Sequence, residues 1–448
     1  MRARFFKHWK SLRSSFWFLP GCMAGAAVAL AIVSVKVDEP MREWLALNMG
    51  WTFTSGAEGA SAVLGIIAGS MITIAGVVFS MTLITLSLAS SQLGPRLLRS
   101  FMRDSTTQVV LGTFIATFLY CLFVLRTIRR VDEVVFVPHL SVTLGVLLAV
   151  ASVGVLIYFI HHVSVSIQAN EIAARISKEL IAGIDHLFPD QIGRGVPMTP
   201  KEPPDAASFE AFDKDARPVV ADGDGYLQFI DGEALLALAM EEDLVVRLER
   251  KPGNYVVAGR PLALIWPGSR VTAGLSDQVR SLFVLGNQRT PGQDIEFGVS
   301  QLVEIAVRAL SPGLNDPFTA ITCLDQLGSV LCRLATRTMP SHYRYDHQNQ
   351  LRVIAPASTF PEITDVAFNQ IRQNSRLSIA VTIRLLETLG VVAGFTRRPE
   401  DRTTLIRHAE MIAREAIEGL PEGEDRREVE ERCQAVIQSC SEAEASSR

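Results

Sequence analysis

Ser61 to Arg103 reads SAVLGIIAGSMITIAGVVFSMTLITLSLASSQLGPRLLRSFMR, and from Ser61 through Ala89 it carries no charged side chain. About 20 apolar residues suffice to cross a bilayer, so this run is long enough to cross one and continue beyond it. Its small and hydroxyl residues are ordered. Gly65, Gly69, Thr73, Gly76, Ser80, Ser87, Ser91 and Gly94 recur at steps of three, four or seven. At 100° per residue they share a sector of roughly 80°, and Ile, Val, Leu, Met and Phe fill the opposite face. In lipid, such a stripe either packs closely on another helix or faces water. Both uses need small residues at the same spacing, and both hold if the stripe lines a narrow oligomeric axis.

Three further apolar runs flank this one. Met1 to Arg13 holds Arg2, Arg4, Lys7, Lys10 and Arg13 with no acid, and Phe16 to Val35 follows as a first span. This start resembles a signal peptide, but the apolar run is too long for most signal cores and no small-x-small cleavage site follows. A retained anchor with a cytoplasmic N-terminus is expected. Lys36 to Ala60 is an acidic, hydrophilic excursion expected on the outer side, with Trp44 and Trp51 at the interface. The second span then ends at Gly94-Pro95, where a kink or break is expected. Arg96, Arg99 and Arg103 follow as a basic cytoplasmic collar. Val109 to Leu125 and Leu140 to Ile160 are the third and fourth spans. The loop between them carries Arg126, Arg129 and Arg130 against Asp132 and Glu133, against the positive-inside rule for an outer loop; the stronger N-terminal and second-loop signals outweigh it. No Asp, Glu, Lys or Arg lies inside the four runs, which argues against a proton-coupled carrier. His161 and His162 close the last span, where interfacial anchoring is expected ahead of a gating role.

The whole chain has 448 residues, net charge −4 and a mean hydropathy of +0.24, with the apolar excess in its first part. Nothing in that charge points to nucleic acid. The six cysteines form no CxxC pair and no zinc spacing, so reduced packing residues are expected. Val163 to Leu187 is an amphipathic helix, expected as a rigid extension of the fourth span. Phe188 to Asp224 is Pro- and Asp-rich and reads as a linker.

Gly225 to Pro267 changes period to short β-patterned runs. Within it, KPGNYVVAGRPLALI is similar to barrel-sandwich hybrid domains of the biotinyl/lipoyl kind. The cofactor-bearing Lys of those domains is absent, so a structural or subunit-packing β-domain without cofactor is expected. From Thr290 the chain is helical. One helix runs from Asp294 to Leu310 and stops at Ser311-Pro312-Gly313. Asp316 as N-cap and Pro317 at the first helical position then start another, to about Thr338. The turn RALSPGLNDPFTA is the most unusual soluble stretch. Arg308, Asn315 and Asp316 mark it as a capping and interdomain turn or, alternatively, an anion-binding one. Ser341 to Ala355 is a short β-like insert. Helices over 360–395, 403–418 and 422–439 complete the chain, with a disordered tail.

Several stretches together carry a family resemblance: GSMITIAGVVFSMTLITLSLASSQLGPRLLRSFMRD, QVVLGTFIATFLYCLFVLRTI, QRTPGQDIEFGVSQLVEIAVRALSPGLNDPFTAITCLD and YRYDHQNQLRVIAP. They resemble the bacterial "predicted membrane protein" family called domain of unknown function 2254, over nearly the whole chain. The resemblance implies a bacterial inner-membrane protein and assigns no catalytic residues.

The expected architecture is an α-helical polytopic membrane domain of four spans plus a cytoplasmic α+β region. Its boundaries are a basic N-terminus (1–15), the membrane domain (16–165), an amphipathic helix and linker (166–224), a small barrel-sandwich-like β-domain (225–290), a helical domain (291–440) and the tail (441–448). The expected function is a homo-oligomeric ion channel or pore in the inner membrane, both termini cytoplasmic, passing an inorganic ion or small solute. Gly69, Thr73, Gly76, Ser80, Ser87, Ser91 and Gly94 line it or pack its helices. The alternative is a membrane-anchored regulator or scaffold whose cytoplasmic domain binds a partner or ligand. An enzyme is not expected. No GxSxG, HExxH or phosphate-binding loop occurs, and no metal, cofactor or catalytic residue is assigned.

Overall fold

The computed structural model describes residues 17–48, 56–94, 105–131, 134–166, 168–187 and 206–445. The chain divides into two compact units, Met1–Glu171 and Ile172–Arg448. Among the described residues, unit one holds four helices long and apolar enough to cross a membrane: α1 (Phe18–Asn48), α2 (Ala57–Leu93), α3 (Ser105–Leu125) and α4 (His139–Ser166). A short antiparallel hairpin, β1 (Arg129–Val131) and β2 (Val134–Phe136), joins α3 to α4.

The core of this unit is built on α3. Phe114, Tyr120, Cys121 and Val124 are buried against Ala27 and Ala31 of α1, Leu64 and Met71 of α2, and Phe159 of α4. α2 ends at Gly94, whose φ of 115° suits only glycine and whose N–H donates to the Ser90 carbonyl. The helix end expected at Gly94-Pro95 therefore comes from this left-handed glycine, and Pro95 lies outside the described residues.

Residues 36–48, expected as an outer excursion, are helical: α1 continues through them to Asn48, while its apolar window ends at Asp38. Asp38, in this stretch, is buried and accepts hydrogen bonds from Leu140 N (2.9 Å), Ser141 N (2.8 Å) and Ser141 Oγ (2.7 Å). It serves the exposed amide donors at the start of α4, where a helix terminus favours negative charge. The basic N-terminus and Trp51 lie outside the described residues.

Unit two begins in α5 (Ala169–Leu187). α4 ends at Ser166 and α5 starts at Ala169, so the continuous extension expected from the fourth span is instead two helices. The expected linker contains α6 (Ala206–Asp215) and strand β3 (Arg217–Val220); residues 188–205 lie outside the described residues. Further on come β4 (Gly225–Ile230), α7 (Gly232–Glu241), β5 (Val245–Leu248), β6 (Tyr255–Val256), β7 (Pro261–Trp266), α8 (Ala273–Ser281) and β8 (Phe283–Gly286). Asp231 and Thr272 cap α7 and α8 through Ala234 N and Leu275 N.

These strands form two sheets. The smaller has the order β6-β4-β8, all antiparallel. The larger has the order β3-β7-β5-β10-β9, where β9 (Tyr343–Tyr345) and β10 (Leu351–Ile354) form the β-like insert expected among the helices. β10 pairs parallel with β5, Val353 opposite Val246, and Arg352 reaches Asp243 at 2.7 Å. The core between these elements is Leu227, Leu235, Leu244, Val246, Leu262, Ile265, Val279 and Val353.

Six helices complete the unit: α9 (Ile295–Ala309), α10 (Pro317–Ala335), α11 (Phe360–Ser375), α12 (Ile379–Ala393), α13 (Pro399–Gly419) and α14 (Gly423–Ala445). The last extends past residue 439, into the stretch expected as a tail. Cys323, Cys433 and Cys440 are buried in these helices and every cysteine is free. Burial pushes the Cys323 thiol up to about 12.

Sheets and helices meet at the turn before β6. Lys251 Nζ donates to Glu296 (2.7 Å) and Glu362 (3.2 Å), and Ser358 Oγ donates to Glu296 (2.9 Å). Beside it, Gly253 has φ 95°, and a Cβ there would lie 2.2 Å from Asp294 Oδ2. Asp294 is buried, caps α9 through Phe297 N and pairs in two-pronged fashion with Arg289 at 2.7 and 2.8 Å. Burial alone would push the Glu296 carboxyl up, but the Lys251 ion pair outweighs it and holds the group below the usual carboxylate range. A depressed carboxyl stabilises the fold above its unfolded value of about 4.3, and the contribution is lost as pH falls through the folded value. Lys251→Met is therefore expected to destabilise unit two by about 2–3 kcal/mol at pH 7, and the gap to wild type should close below about pH 4. Denaturant unfolding of the full chain in detergent across pH measures this. A gap that stays constant down to pH 3 would contradict the Lys251–Glu296 coupling.

Candidate functional site

The face of α2 that meets the rest of its unit is Ala60, Leu64, Ala68, Met71, Ala75 and Val78, all buried. Their spacing of four, four, three, four and three is one helical stripe. It lies roughly 150° around the helix from the stripe of small residues. Gly69, Thr73, Gly76, Ser80, Ser87 and Ser91 are accordingly exposed. Among the described residues no neighbouring helix comes within 4 Å of the Cβ positions of Gly65, Gly69 and Gly76. Gly94 alone among these residues is buried, at the helix end.

The stripe is polar only in part. Thr73 Oγ1 donates to the Gly69 carbonyl at 2.8 Å and Ser91 Oγ to the Leu88 carbonyl at 2.9 Å. Back-bonding of this kind satisfies the hydroxyl proton inside an apolar phase. Ile66, Ile72, Leu83 and Ile84, all exposed, flank the stripe. The result is a narrow smooth track with apolar shoulders, a surface that a second helix can approach closely. Arg96, Arg99 and Arg103, the expected basic collar, lie outside the described residues.

The turn between α9 and α10 is organised by its own bonds. Asp316 caps α10 by accepting from Thr319 N (3.1 Å) and Thr319 Oγ1 (2.6 Å), with Pro317 at the first helical position. Asn315 takes the left-handed conformation, φ 48°, and its N–H donates to the Ser311 carbonyl at 2.9 Å. Arg308 lies 3.6 Å from Glu304, one turn back on α9. Arg308, Asn315 and Asp316 are thus neighbours in one turn, with both Asp316 oxygens engaged by α10 itself.

A polar network in unit one has no counterpart among the residues singled out from sequence. Ser34 Oγ and Tyr120 Oη are 3.1 Å apart, Tyr120 Oη donates to the Ser141 carbonyl at 3.0 Å, and Asp38 holds the amide and hydroxyl of Ser141. It ties α1, α3 and α4 at one end of the bundle. Thr117 and Ser152, 3.1 Å apart, tie α3 to α4 further along. The signal was Ala27, Ala31, Ser34 and Asp38, a four-three-four spacing of small or polar residues that runs on past the first apolar run. In the last span, His162 stacks on Tyr158 with ring centroids 5.9 Å apart.

A family model described as predicted membrane protein (DUF2254) matches residues 13–390. An uncharacterized protein of Mycobacterium tuberculosis (strain ATCC 25618 / H37Rv) is 34% identical over 423 residues, covering 93% of this chain and 78% of its own length. An uncharacterized protein of Mycobacterium bovis is similar to the same extent. No solved structure matches.

Proposed function

The chain belongs to the DUF2254 family of predicted membrane proteins, and from that premise we propose that it is a homo-oligomeric ion channel or pore lined by α2. One observation supports this above the others. Among the described residues, the small-residue stripe faces away from the chain's own helices, so it is left for a second copy, for water or for both. A ring of α2 helices uses the stripe in both ways, because small residues let backbones approach an axis and hydroxyl oxygens tolerate a partly hydrated ion. A single four-helix unit makes a poor pore by itself. In this reading the protein sits in the bacterial inner membrane with both termini in the cytoplasm, and is not an enzyme. Unit two serves assembly or regulation, its β-rich part as a cofactor-free packing module of barrel-sandwich kind.

The test is current across a planar bilayer holding the purified full chain, at rest, under voltage and under membrane tension. Discrete conductance steps are expected. A protein silent under all three conditions would defeat the pore reading and favour a membrane-anchored scaffold.

A further inference from the structure

One end of the six C-terminal helices bares three large apolar side chains, while Val391 and Phe395 are exposed near the other. Arg384 Nε donates to Asp325 Oδ1 at 2.6 Å, and a Cβ on Gly328 would lie 2.8 Å from Thr388 Cγ2. α10 and α12 therefore run parallel and nearly in step. Phe318 and Leu377 stand equally far before these contacts, roughly 10 Å back along the helices, at one end of the bundle. Both are strongly exposed, at 77% and 72%, and Leu314 in the adjoining turn is 48% exposed. Large side chains bared together at neighbouring turns are unusual on a surface bathed only by water.

α5 indicates what covers them. Leu180 packs on Gly298 of α9, and Asp185 pairs with Arg333 and Arg337 at the far end of α10. Gly298 stands roughly 16 Å from the 310–316 turn along α9, and Arg333 roughly 24 Å from it along α10. α5 thus climbs away from that turn as residue number rises. Ile172, roughly 12 Å back along α5 from Leu180, lies close to the level of the turn. Ile172 lies only six positions along the chain from Ser166, the last residue of the fourth apolar helix. Such a tether reaches at most about 21 Å, so the bared end is also the end at which the chain arrives from a membrane-spanning segment.

We propose that the bundle end formed by the 310–316 and 376–378 turns rests on the bilayer interface, with Leu314, Phe318 and Leu377 entering the boundary between headgroups and acyl chains. Nearby charge is mixed. Arg376 is exposed beside Leu377, while Gly419, whose added Cβ would lie 3.0 Å from the Arg376 carbonyl, brings Glu418 and Glu422 to the same end. The contact is therefore apolar in origin and indifferent to anionic lipid. It is independent of whether α2 lines a pore.

The experiment uses the full chain in phosphatidylcholine vesicles, with Cys22→Ser removing the exposed thiol. A polarity-sensitive fluorophore is placed through Phe318→Cys, through Leu377→Cys as a second site, and through Asp277→Cys on α8 as an exposed control. Lipids carrying a quencher on the acyl chain are expected to dim the probes at 318 and 377 at least about twofold and to leave the probe at 277 unchanged, with or without salt. Probes at 318 and 377 that match the control overturn the proposal. Energy transfer between probes at 318 on separate copies, without lipid quenching, also overturns it and identifies a second copy as the occupant.

Discussion

If α2 lines a pore as proposed, replacing Ser80 and Ser87 together by Leu is expected to remove the current while leaving the oligomeric state unchanged. Both positions lie on the exposed stripe of α2, away from the buried line through Leu64, Met71 and Val78. Neither substitution therefore disturbs the packing of the chain on itself. In a ring of α2 helices, each Leu adds apolar volume at the axis and removes a hydroxyl oxygen that faces the path. An apolar constriction of this kind excludes water, and flux should fall about tenfold or more, a barrier increase of at least about 1.4 kcal/mol. Single-channel recording together with mass measurement of the detergent-purified oligomer checks it. An unchanged conductance in an intact oligomer would move the path away from α2. Loss of the oligomer itself would assign the stripe to packing between copies.

The second large effect is expected in stability. Asp38→Ala takes away the acceptor for Leu140 N, Ser141 N and Ser141 Oγ at the start of α4. Water reaches this buried position poorly, so the abandoned donors keep their desolvation penalty. Hydrogen bonds between helices in membranes average about 0.6 kcal/mol, whereas a buried orphan donor costs about 1–3 kcal/mol, so a loss of about 2–4 kcal/mol follows. For a unit of this size, that lowers the midpoint by roughly 5–15 °C. Asp38→Asn retains one acceptor oxygen and should lose roughly half as much. Thermal unfolding of the full chain in detergent, followed through the helical signal of unit one, measures both. An alanine variant within about 0.5 kcal/mol of wild type would show that Asp38 does not hold α1 to α4.

Some elements were legible because their cause is local. The helix start at Asp316-Pro317 is written in two adjacent residues, one accepting from the first turn and one lacking a donor that the first turn has no use for. The four apolar helices are legible from length and composition, since only continuous helical hydrogen bonding satisfies a backbone in lipid. The small-residue stripe is legible from periodicity alone.

Other features depend on partners far away in sequence. Asp38 reads as part of a polar loop until Ser141 lies beside it. Lys251 reads as a surface lysine until Glu296 and Glu362 converge on it, and β10 joins β5 across more than a hundred residues. Leu314, Phe318 and Leu377 gain meaning only once α10 and α12 are seen to run in step.

The sequence by itself determined which segments are apolar and long enough to span a bilayer, where the helix at Pro317 starts, and that α2 carries a face of small residues. Local propensity and hydrophobic period set these, and both are properties of neighbouring residues. Only the tertiary structure decided that α2 turns its other face to α3, that Asp38 closes the bundle, and that one end of the helical region is bare and apolar. Those outcomes follow from which surfaces bury one another, and burial is decided by contacts between residues that the chain order keeps apart.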